Sequence, residues 1–208
     1  LSTYRPRTTD SSHGSRNWRA TASALAGKSV MRTRPSTYTM LNTRLAAPEI
    51  EFALEDSGAS TLVLHEDLRD LARAGSWPTG VTRRIVVNGP AGDAVEEYES
   101  VLLSGAASAI DAAVTLDDPA IILYTSGTTG HPKGAVLTHG NLEAERQAAF
   151  SVVNLSDADA VLGVLPLFHS LAQMANLLLP LAAGGRVVFL QSVSSTALLE
   201  ALQQRRIT

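Results

Sequence analysis

The stretch YTSGTTGHPKG, residues 124–134, combines four Ser or Thr hydroxyls, three glycines and one lysine. It follows the apolar run AIIL, residues 120–123, which predicts a buried strand. Glycines let backbone N–H groups approach an anion closely, small hydroxyls add further donors, and a lysine adds a compact positive charge. The stretch therefore predicts a phosphate-binding loop at the end of a buried strand, with a triphosphate as its natural ligand.

The candidate phosphate-binding residues are Thr125, Ser126, Gly127, Thr128, Thr129, Gly130 and Lys133. Gly127, Gly130 and Gly134 are expected to provide positive φ angles and to keep Cβ atoms out of the way of the ligand. Pro132 is expected to stiffen the presentation of the lysine that follows it.

Three other interpretations of the loop fit less well. A Walker A loop requires G-x-x-x-x-G-K-[ST], but here Lys133 follows Pro132 and precedes Gly134. The dinucleotide pattern G-x-G-x-x-G is also missing. A plain surface turn needs one or two glycines and has no use for this arrangement of hydroxyls and lysine. Phosphate binding remains the favoured interpretation.

Composition places the chain among ordinary globular proteins, with 45% hydrophobic and 18% charged residues. There is no cysteine, which excludes disulfides, thiolate catalysis and cysteine-ligated metals. The richest apolar run, LLLPLAAGG at residues 177–185, is short and broken by Pro180, so no membrane span is expected. These features predict a soluble, cytoplasmic protein.

Helical and strand patterns alternate from about residue 41 onward, which predicts an α/β fold with a layered sheet and flanking helices. Helices are predicted at residues 47–58, 67–75, 93–105, 171–185 and 195–208. Strands are predicted at residues 60–66, 82–89, 117–125, 159–170 and 186–191, and a strand that turns into a helix at residues 134–153.

Residues 1–40 differ from the rest of the chain. Residues 1–44 hold eight Lys or Arg against one acid, Asp10, and residues 1–40 are rich in Ser, Thr and Arg without a sustained period. Such a segment is compatible with a transit peptide or a nucleic-acid-binding arm. We expect a disordered or mistranslated leader instead, and no nucleic-acid partner.

The longer stretch YTSGTTGHPKGAVLTHGNL, residues 124–142, resembles the phosphate-loop motif of the adenylate-forming acyl-CoA synthetase superfamily, which also includes peptide-synthetase adenylation domains and beetle luciferases. Two weaker likenesses follow the family's order: LNTRLAAPEIEFALEDSGASTLV at residues 41–63 and LPLFHS at residues 165–170. The resemblance covers residues 41–208, which are expected to form part of the large N-terminal, AMP-binding domain, and it fails before Met40.

The resemblance implies a reaction in two halves. A carboxylate attacks the α-phosphate of ATP to give an acyl-adenylate and pyrophosphate, and a thiol such as CoA then displaces AMP. By resemblance, Ser126, Thr128, Thr129 and Lys133 hold the β and γ phosphates, and Mg²⁺ arrives with ATP. The same resemblance assigns His169 to the wall or gate of the acyl pocket, although a lone histidine there is also compatible with a hydrogen-bonded packing residue.

The family's later motifs do not occur in these 208 residues: the segment that binds adenine and magnesium, the ribose-binding Asp, the hinge, and the small domain with the catalytic lysine. We therefore expect a fragment of an acid-CoA ligase for a fatty or other apolar acid, inactive in isolation and without an assigned catalytic residue. A non-catalytic nucleotide-binding remnant and a peptide-synthetase adenylation domain stay open as alternatives.

Two acidic pairs, Asp117 with Asp118 and Glu96 with Glu97, are expected to be solvated rather than to serve acid–base or metal chemistry. His139 is expected at the start of a helix with Thr138 as its cap, without a catalytic role. No cluster of His, Asp and Glu has the spacing of a metal site, so a resident metal is not expected.

Overall fold

The computed structural model describes residues 3–4, 37–70, 78–92, 94–105, 113–125, 132–190 and 193–208. The chain divides into two compact units. The first, called here the loop unit, comprises Ser23–Val114 and Pro119–Leu137. The second, called the C-terminal unit, comprises Leu1–Ala22, Thr115–Asp118 and Thr138–Thr208. Both contain strands and helices, which confirms the predicted α/β class.

The described residues of the loop unit form two three-stranded sheets. Strand β2 (Tyr38–Thr39) pairs in parallel with β6 (Pro119–Thr125), whose other neighbour is β7 (Lys133–Thr138). Strands β3 (Thr61–His65), β4 (Arg83–Val87) and β5 (Glu96–Glu97) form the second sheet and run parallel. Apolar side chains from both sheets and the first helix are buried: Ala53, Leu54, Ile85, Val86, Ala120 and Ile121. The predicted burial of the strand before the loop is therefore confirmed.

Helix α1 (Ala47–Asp56) begins where its sequence predicts and ends two residues before the predicted bound of 58. At its start the Glu49 carboxylate accepts the backbone N–H of Ala46 at 2.8 Å. At its end Gly58 adopts φ +64°, and the N–H of Ala59 donates to the carbonyl of Leu54 at 3.1 Å, which is the hydrogen bond of a Schellman motif. Glycine accepts this left-handed conformation without a Cβ penalty, so the helix stops here.

Two other predicted helices of this unit differ from the observed structure. Residues 96–97 are paired as strand β5, and helix α2 (Tyr98–Leu103) begins only after them. The Glu97 carboxylate accepts the N–H groups of Glu99 and Ser100, which fixes the helix start at that point. The predicted helix at 67–75 begins instead with a 3₁₀ turn, Glu66–Leu68, and residues 71–77 lie outside the described residues.

The described part of the C-terminal unit forms one three-stranded sheet, in which the strand at residues 186–189 lies between the other two. Strand β8 (Ala160–Gly163) runs parallel to β9 (Arg186–Phe189), and β1 (Thr3–Tyr4) pairs antiparallel with β9. The predicted strand at 159–170 is too long, because the strand ends at Gly163 and Pro166 cannot donate to a sheet ladder. Helices α3 (His139–Phe150) and α6 (Ser195–Gln204) agree with the sequence.

The predicted buried helix at 171–185 consists of three consecutive pieces. An α-helical turn, α4 (Ser170–Gln173), leads into a π-helical turn, Met174–Leu178, and then into α5 (Leu179–Ala182). Ala172, Gln173 and Leu179 are buried, so the prediction of a core helix is confirmed. In the part of the chain that the structure describes, no helix is both long and apolar enough to cross a bilayer.

Candidate nucleotide phosphate site

The candidate loop connects two neighbouring strands of one sheet, β6 and β7. Only residues 126–132 lie between them, and a parallel pair requires a crossover of about a dozen residues or more, so the two strands form an antiparallel hairpin. The Thr125 hydroxyl donates to the carbonyl of Lys133 at 3.4 Å, across the base of the hairpin. The structure therefore brings together the two predicted site residues that flank the loop.

The other five predicted phosphate-binding residues, Ser126, Gly127, Thr128, Thr129 and Gly130, lie outside the described residues. Their assignments stay predictions from the sequence.

Lys133 is exposed at the first position of β7. Among the described residues, no ion pair within 4.0 Å engages its ammonium group, whereas Arg69, Arg83 and Arg146 each contact a glutamate. A lysine charge that is not used by a neighbouring carboxylate is free to meet an anionic ligand, because nothing has to be displaced first. This is the electrostatic property that the predicted phosphate role requires.

Gly134 has a different purpose from the one predicted. It is absent from the described residues with positive φ, so the expectation of a left-handed conformation is wrong at this position. A Cβ on Gly134 would lie 3.0 Å from Cγ2 of Ile122 and 3.3 Å from two ring carbons of Tyr124. Glycine is needed here because β7 passes directly against the side chains of β6.

Tyr124 fastens the strand before the loop to helix α1, a function that the sequence interpretation missed. Its hydroxyl donates to Oδ2 of Asp56 at 2.7 Å and also lies 3.1 Å from the carbonyl oxygen of Ala53. Phe52 meets the Tyr124 ring edge to face, with centroids 6.4 Å apart. Burial, with the neighbouring Asp56 carboxylate, raises the pKa of Tyr124 to about 12. Phe52 and Asp56 are four positions apart and share a helix face, but this spacing does not link either residue to Tyr124.

After β7 the chain enters helix α3, and the start of this helix is already occupied. The Thr138 hydroxyl accepts the N–H of Asn141 at 3.2 Å, which confirms the predicted cap. The N–H of His139 donates to the carbonyl of Asp118 at 3.0 Å, and the N–H of Gly140 donates to the carbonyl of Leu116 at 2.7 Å. His139 is 6% exposed and begins the helix, as predicted. These N–H groups are therefore not presented to a phosphate.

This arrangement distinguishes the loop from a Walker A site in three dimensions as well as in sequence. A Walker A loop runs from a strand into a helix, whose N-terminal N–H groups and dipole face the phosphates. Here the loop runs from strand to strand, and the helix comes only after β7. The start of helix α3 is therefore not the source of the predicted phosphate contacts, and their assignment to the loop stays a prediction.

His169 belongs to the C-terminal unit and immediately precedes α4. Its exposed ring lies against that of Phe168, with centroids 4.4 Å apart, and its side chain makes no capping hydrogen bond to the helix. The predicted position, after an aromatic residue and before a helix, is observed. Its assignment to an acyl pocket stays a prediction.

In the two acidic pairs, Glu96 and Asp117 are exposed and Glu97 and Asp118 are half-buried, and three of the four acids also make local hydrogen bonds. Glu96 makes two hydrogen bonds to the Arg83 guanidinium, at 2.5 and 2.8 Å, which lower the pKa of Glu96. Its neighbour Glu97 caps helix α2, and hydrogen bonds from Ser100 lower the pKa of Glu97.

Asp118 accepts the backbone N–H of Thr115 at 2.6 Å, which lowers the Asp118 pKa. Within the described residues, no group of three or more His, Asp or Glu could hold a metal ion.

Comparison with known proteins identifies the family. Residues 36–208 match the family model of the AMP-binding enzymes. The feruloyl-CoA synthase of an Amycolatopsis species is 35% identical over 173 residues, which are 82% of this chain and 32% of that protein. The long-chain-fatty-acid–CoA ligase FadD13 of Mycobacterium tuberculosis is 31% identical over 170 residues, which are 80% of this chain and 32% of that protein.

The fold comparison agrees. The crystal structure of ATP-bound MatB from Rhodopseudomonas palustris matches with a TM-score of 0.64 and 25% identity, over 92% of this chain and 42% of that one. The chain belongs to the AMP-binding enzyme family, which confirms both the resemblance carried by residues 124–142 and the predicted acyl-CoA synthetase-like α/β fold. It spans about one third of the length of the curated relatives it matches.

Proposed function

We propose that this chain is the phosphate-holding part of an AMP-forming acid-CoA ligase. The observation that carries the proposal is the hairpin base. There the Thr125 hydroxyl and the Lys133 ammonium, which forms no ion pair with the residues that the structure describes, flank a loop whose sequence is rich in glycines and small hydroxyls. Two relatives named as a feruloyl-CoA synthase and a fatty-acid–CoA ligase, and a structural neighbour with bound ATP, support it. Ser126, Thr128 and Thr129 are proposed to complete the set of donors around the β and γ phosphates.

In the proposed reaction, bonds form and break at the α-phosphate, whereas Lys133 and Mg²⁺ neutralise charge on the phosphates. The carboxylate oxygen of the acid attacks the α-phosphorus of ATP, and the bond to the bridging oxygen of pyrophosphate breaks, which leaves an acyl-adenylate. CoA then displaces AMP through its thiol and gives the thioester. Lys133 offsets the negative charge that grows on pyrophosphate as it leaves. Mg²⁺, brought with ATP, would supply further charge neutralisation at the phosphates.

The acid is proposed to be a fatty or other apolar carboxylic acid. The names of the two relatives indicate a feruloyl group and a long-chain fatty acid, which share a carboxylate on a mainly apolar body. His169, exposed beside Phe168, is proposed to lie at the wall of the pocket that receives this body. The acceptor is proposed to be CoA, as in the names of both relatives.

Lysine chemistry gives a sharp test of the phosphate site, because Lys28 and Lys133 are the only lysines of the sequence. The protein is treated with a lysine-acylating reagent at increasing ATP concentrations, and the modification of each lysine is read by peptide mass spectrometry. We expect ATP with Mg²⁺ to protect Lys133 while Lys28 serves as the internal reference. Tripolyphosphate should also protect Lys133, whereas adenosine should not.

A binding measurement with variants completes the test. Lys133→Ala should weaken ATP binding about ten- to a hundredfold, the usual effect of losing a charged contact to phosphate. Arg44→Ala is the matched control, since it removes one exposed positive charge from the same unit. Equal ATP affinity in both variants, or acylation of Lys133 that ATP does not slow, would contradict the proposal.

A further inference from the structure

The position of Tyr124 also determines which face of the sheet its neighbours occupy, because side chains alternate between the two faces along β6 and β7. Successive side chains of a strand point to opposite faces of the sheet. The Tyr124 hydroxyl reaches helix α1 through Asp56, so Tyr124 lies on the helix side of β6. Thr125, the next residue, is therefore directed to the opposite face.

The same reasoning applies across the hairpin. A Cβ on Gly134 would point at the side chains of Ile122 and Tyr124, two alternate residues of β6, so the side-chain direction of Gly134 is also the helix side. Lys133 precedes it and is directed to the opposite face, together with Thr125. A slip of one residue in either strand would turn one of these two groups to the wrong face.

Three contacts hold the Tyr124 side chain in this position. The hydroxyl is hydrogen-bonded to Asp56 and lies next to the Ala53 carbonyl oxygen. Phe52 packs against the ring, and Gly134 leaves the space in which the ring meets β7. The hydroxyl contacts and the Phe52 contact both tie the hairpin to helix α1, an element outside its own sheet.

We infer that Tyr124 is a positioning residue for nucleotide binding: anchored to Asp56 and packed on Gly134, it sets the register that presents Thr125 and Lys133 on one face. This inference rests on the proposed function, since its consequence is the affinity for ATP phosphates. Tyr124 does not itself contact the ligand. Its effect is transmitted through the register of β6 and β7.

The test uses Tyr124→Phe, which keeps the ring and removes the hydroxyl, together with Asp56→Ala and the double variant. Tyr98→Phe and Glu55→Ala are the matched controls, since each makes the same chemical change in the same unit. Affinity for ATP is measured as the concentration that half-protects Lys133 from acylation. Hydrogen exchange of the 208-residue chain without ATP compares peptides that cover Lys133–Thr138 with peptides that cover Arg83–Val87.

Tyr124→Phe and Asp56→Ala should each raise the ATP concentration that half-protects Lys133 about fivefold, the effect expected of one lost hydrogen bond. The double variant should need no more ATP than either single variant. Exchange should become faster over Lys133–Thr138 and stay unchanged over Arg83–Val87. A merely structural contact would lower the melting temperature without this local change in exchange and without a change in ATP protection.

The two proposals fail in different ways. If ATP does not protect Lys133 in the unchanged protein, the proposed function fails, and the inference fails as a statement about ATP. If ATP protects the unchanged protein and both variants equally, only the inference is overturned. Additive losses in the double variant, or equal exchange over Lys133–Thr138 in all proteins, would also overturn it, because the hydroxyl and the carboxylate would not act as one unit.

Discussion

The ring of Tyr124 lies so close to Gly134 that a Cβ at position 134 would come within 3.3 Å of two of its carbons, and within 3.0 Å of Cγ2 of Ile122. Gly134→Ala should therefore destabilise the protein by about 1–3 kcal/mol, the usual cost of overpacking. Urea unfolding measures the change. Gly80→Ala is the control, since the nearest atom to its new Cβ would be 3.8 Å away. Equal midpoints for the two variants would contradict the close packing.

A second prediction concerns alkaline pH. Burial raises the pKa of Tyr38 to about 12, and burial with Asp56 raises that of Tyr124 to about 12, from an ordinary value of 10.0. The folded state keeps these two protons while the unfolded chain loses them. The stabilising contribution is therefore present below pH 10 and is lost as pH rises from about 10 to about 12.

Denaturant unfolding at about pH 9 and about pH 11 checks this sign. The free energy of unfolding should fall between the two values in the unchanged protein. The fall should be smaller in Tyr124→Phe, and smaller again when Tyr38→Phe is added, because phenylalanine has no proton to lose. A fall of the same size in all three proteins would show that other groups cause it.

A third prediction tests the cap of helix α3. The Thr138 hydroxyl accepts the N–H of Asn141, and the Asn141 side chain accepts the N–H of Thr138 at 2.9 Å. Thr138→Ala should lower the free energy of unfolding by about 1 kcal/mol, as for other N-cap residues. Thr138→Ser retains the hydroxyl and should restore most of the loss. Failure of serine to do better than alanine would show that the hydroxyl does not stabilise the helix.

A fourth prediction separates binding from catalysis. The 208-residue polypeptide should bind ATP weakly and give no measurable ATP–pyrophosphate exchange with fatty or aromatic acids. The reason is that the segments assigned by family resemblance to adenine, ribose and the catalytic lysine are not among these residues. A characterised acyl-CoA synthetase, assayed in parallel, provides the positive control. Robust exchange with any carboxylic acid would contradict the prediction.

Regular elements were predictable where one local pattern dominates. The apolar run before the loop forms β6, most of the helix predicted at residues 47–58 forms α1, and Thr138 caps α3. Each of these depends on residues within a few positions of one another. The family resemblance was predictable for the same reason, since residues 124–142 are contiguous.

The features that the sequence did not reveal depend on contacts between residues that are far apart in the sequence. Tyr124 and Asp56 are 68 positions apart, and no local pattern connects them. Glu96 was assigned to a helix because its neighbours favour one, but pairing of β5 with β4 and the hydrogen bonds to Arg83 draw it into a strand. Gly134 was assigned a backbone purpose, whereas its purpose is set by two side chains on another strand.

The occupied start of helix α3 limits how this loop could be redesigned. Mutating the residues around Lys133 to the pattern G-x-x-x-x-G-K-[ST] would reproduce the sequence of a Walker A motif. It would not provide helix N–H groups to bind a nucleotide. Those of His139 and Gly140 already donate to Asp118 and Leu116, and a whole strand separates them from the loop. Motif transplantation between the two families therefore requires a change of topology, and sequence searches that treat the two loops as interchangeable will assign the wrong architecture.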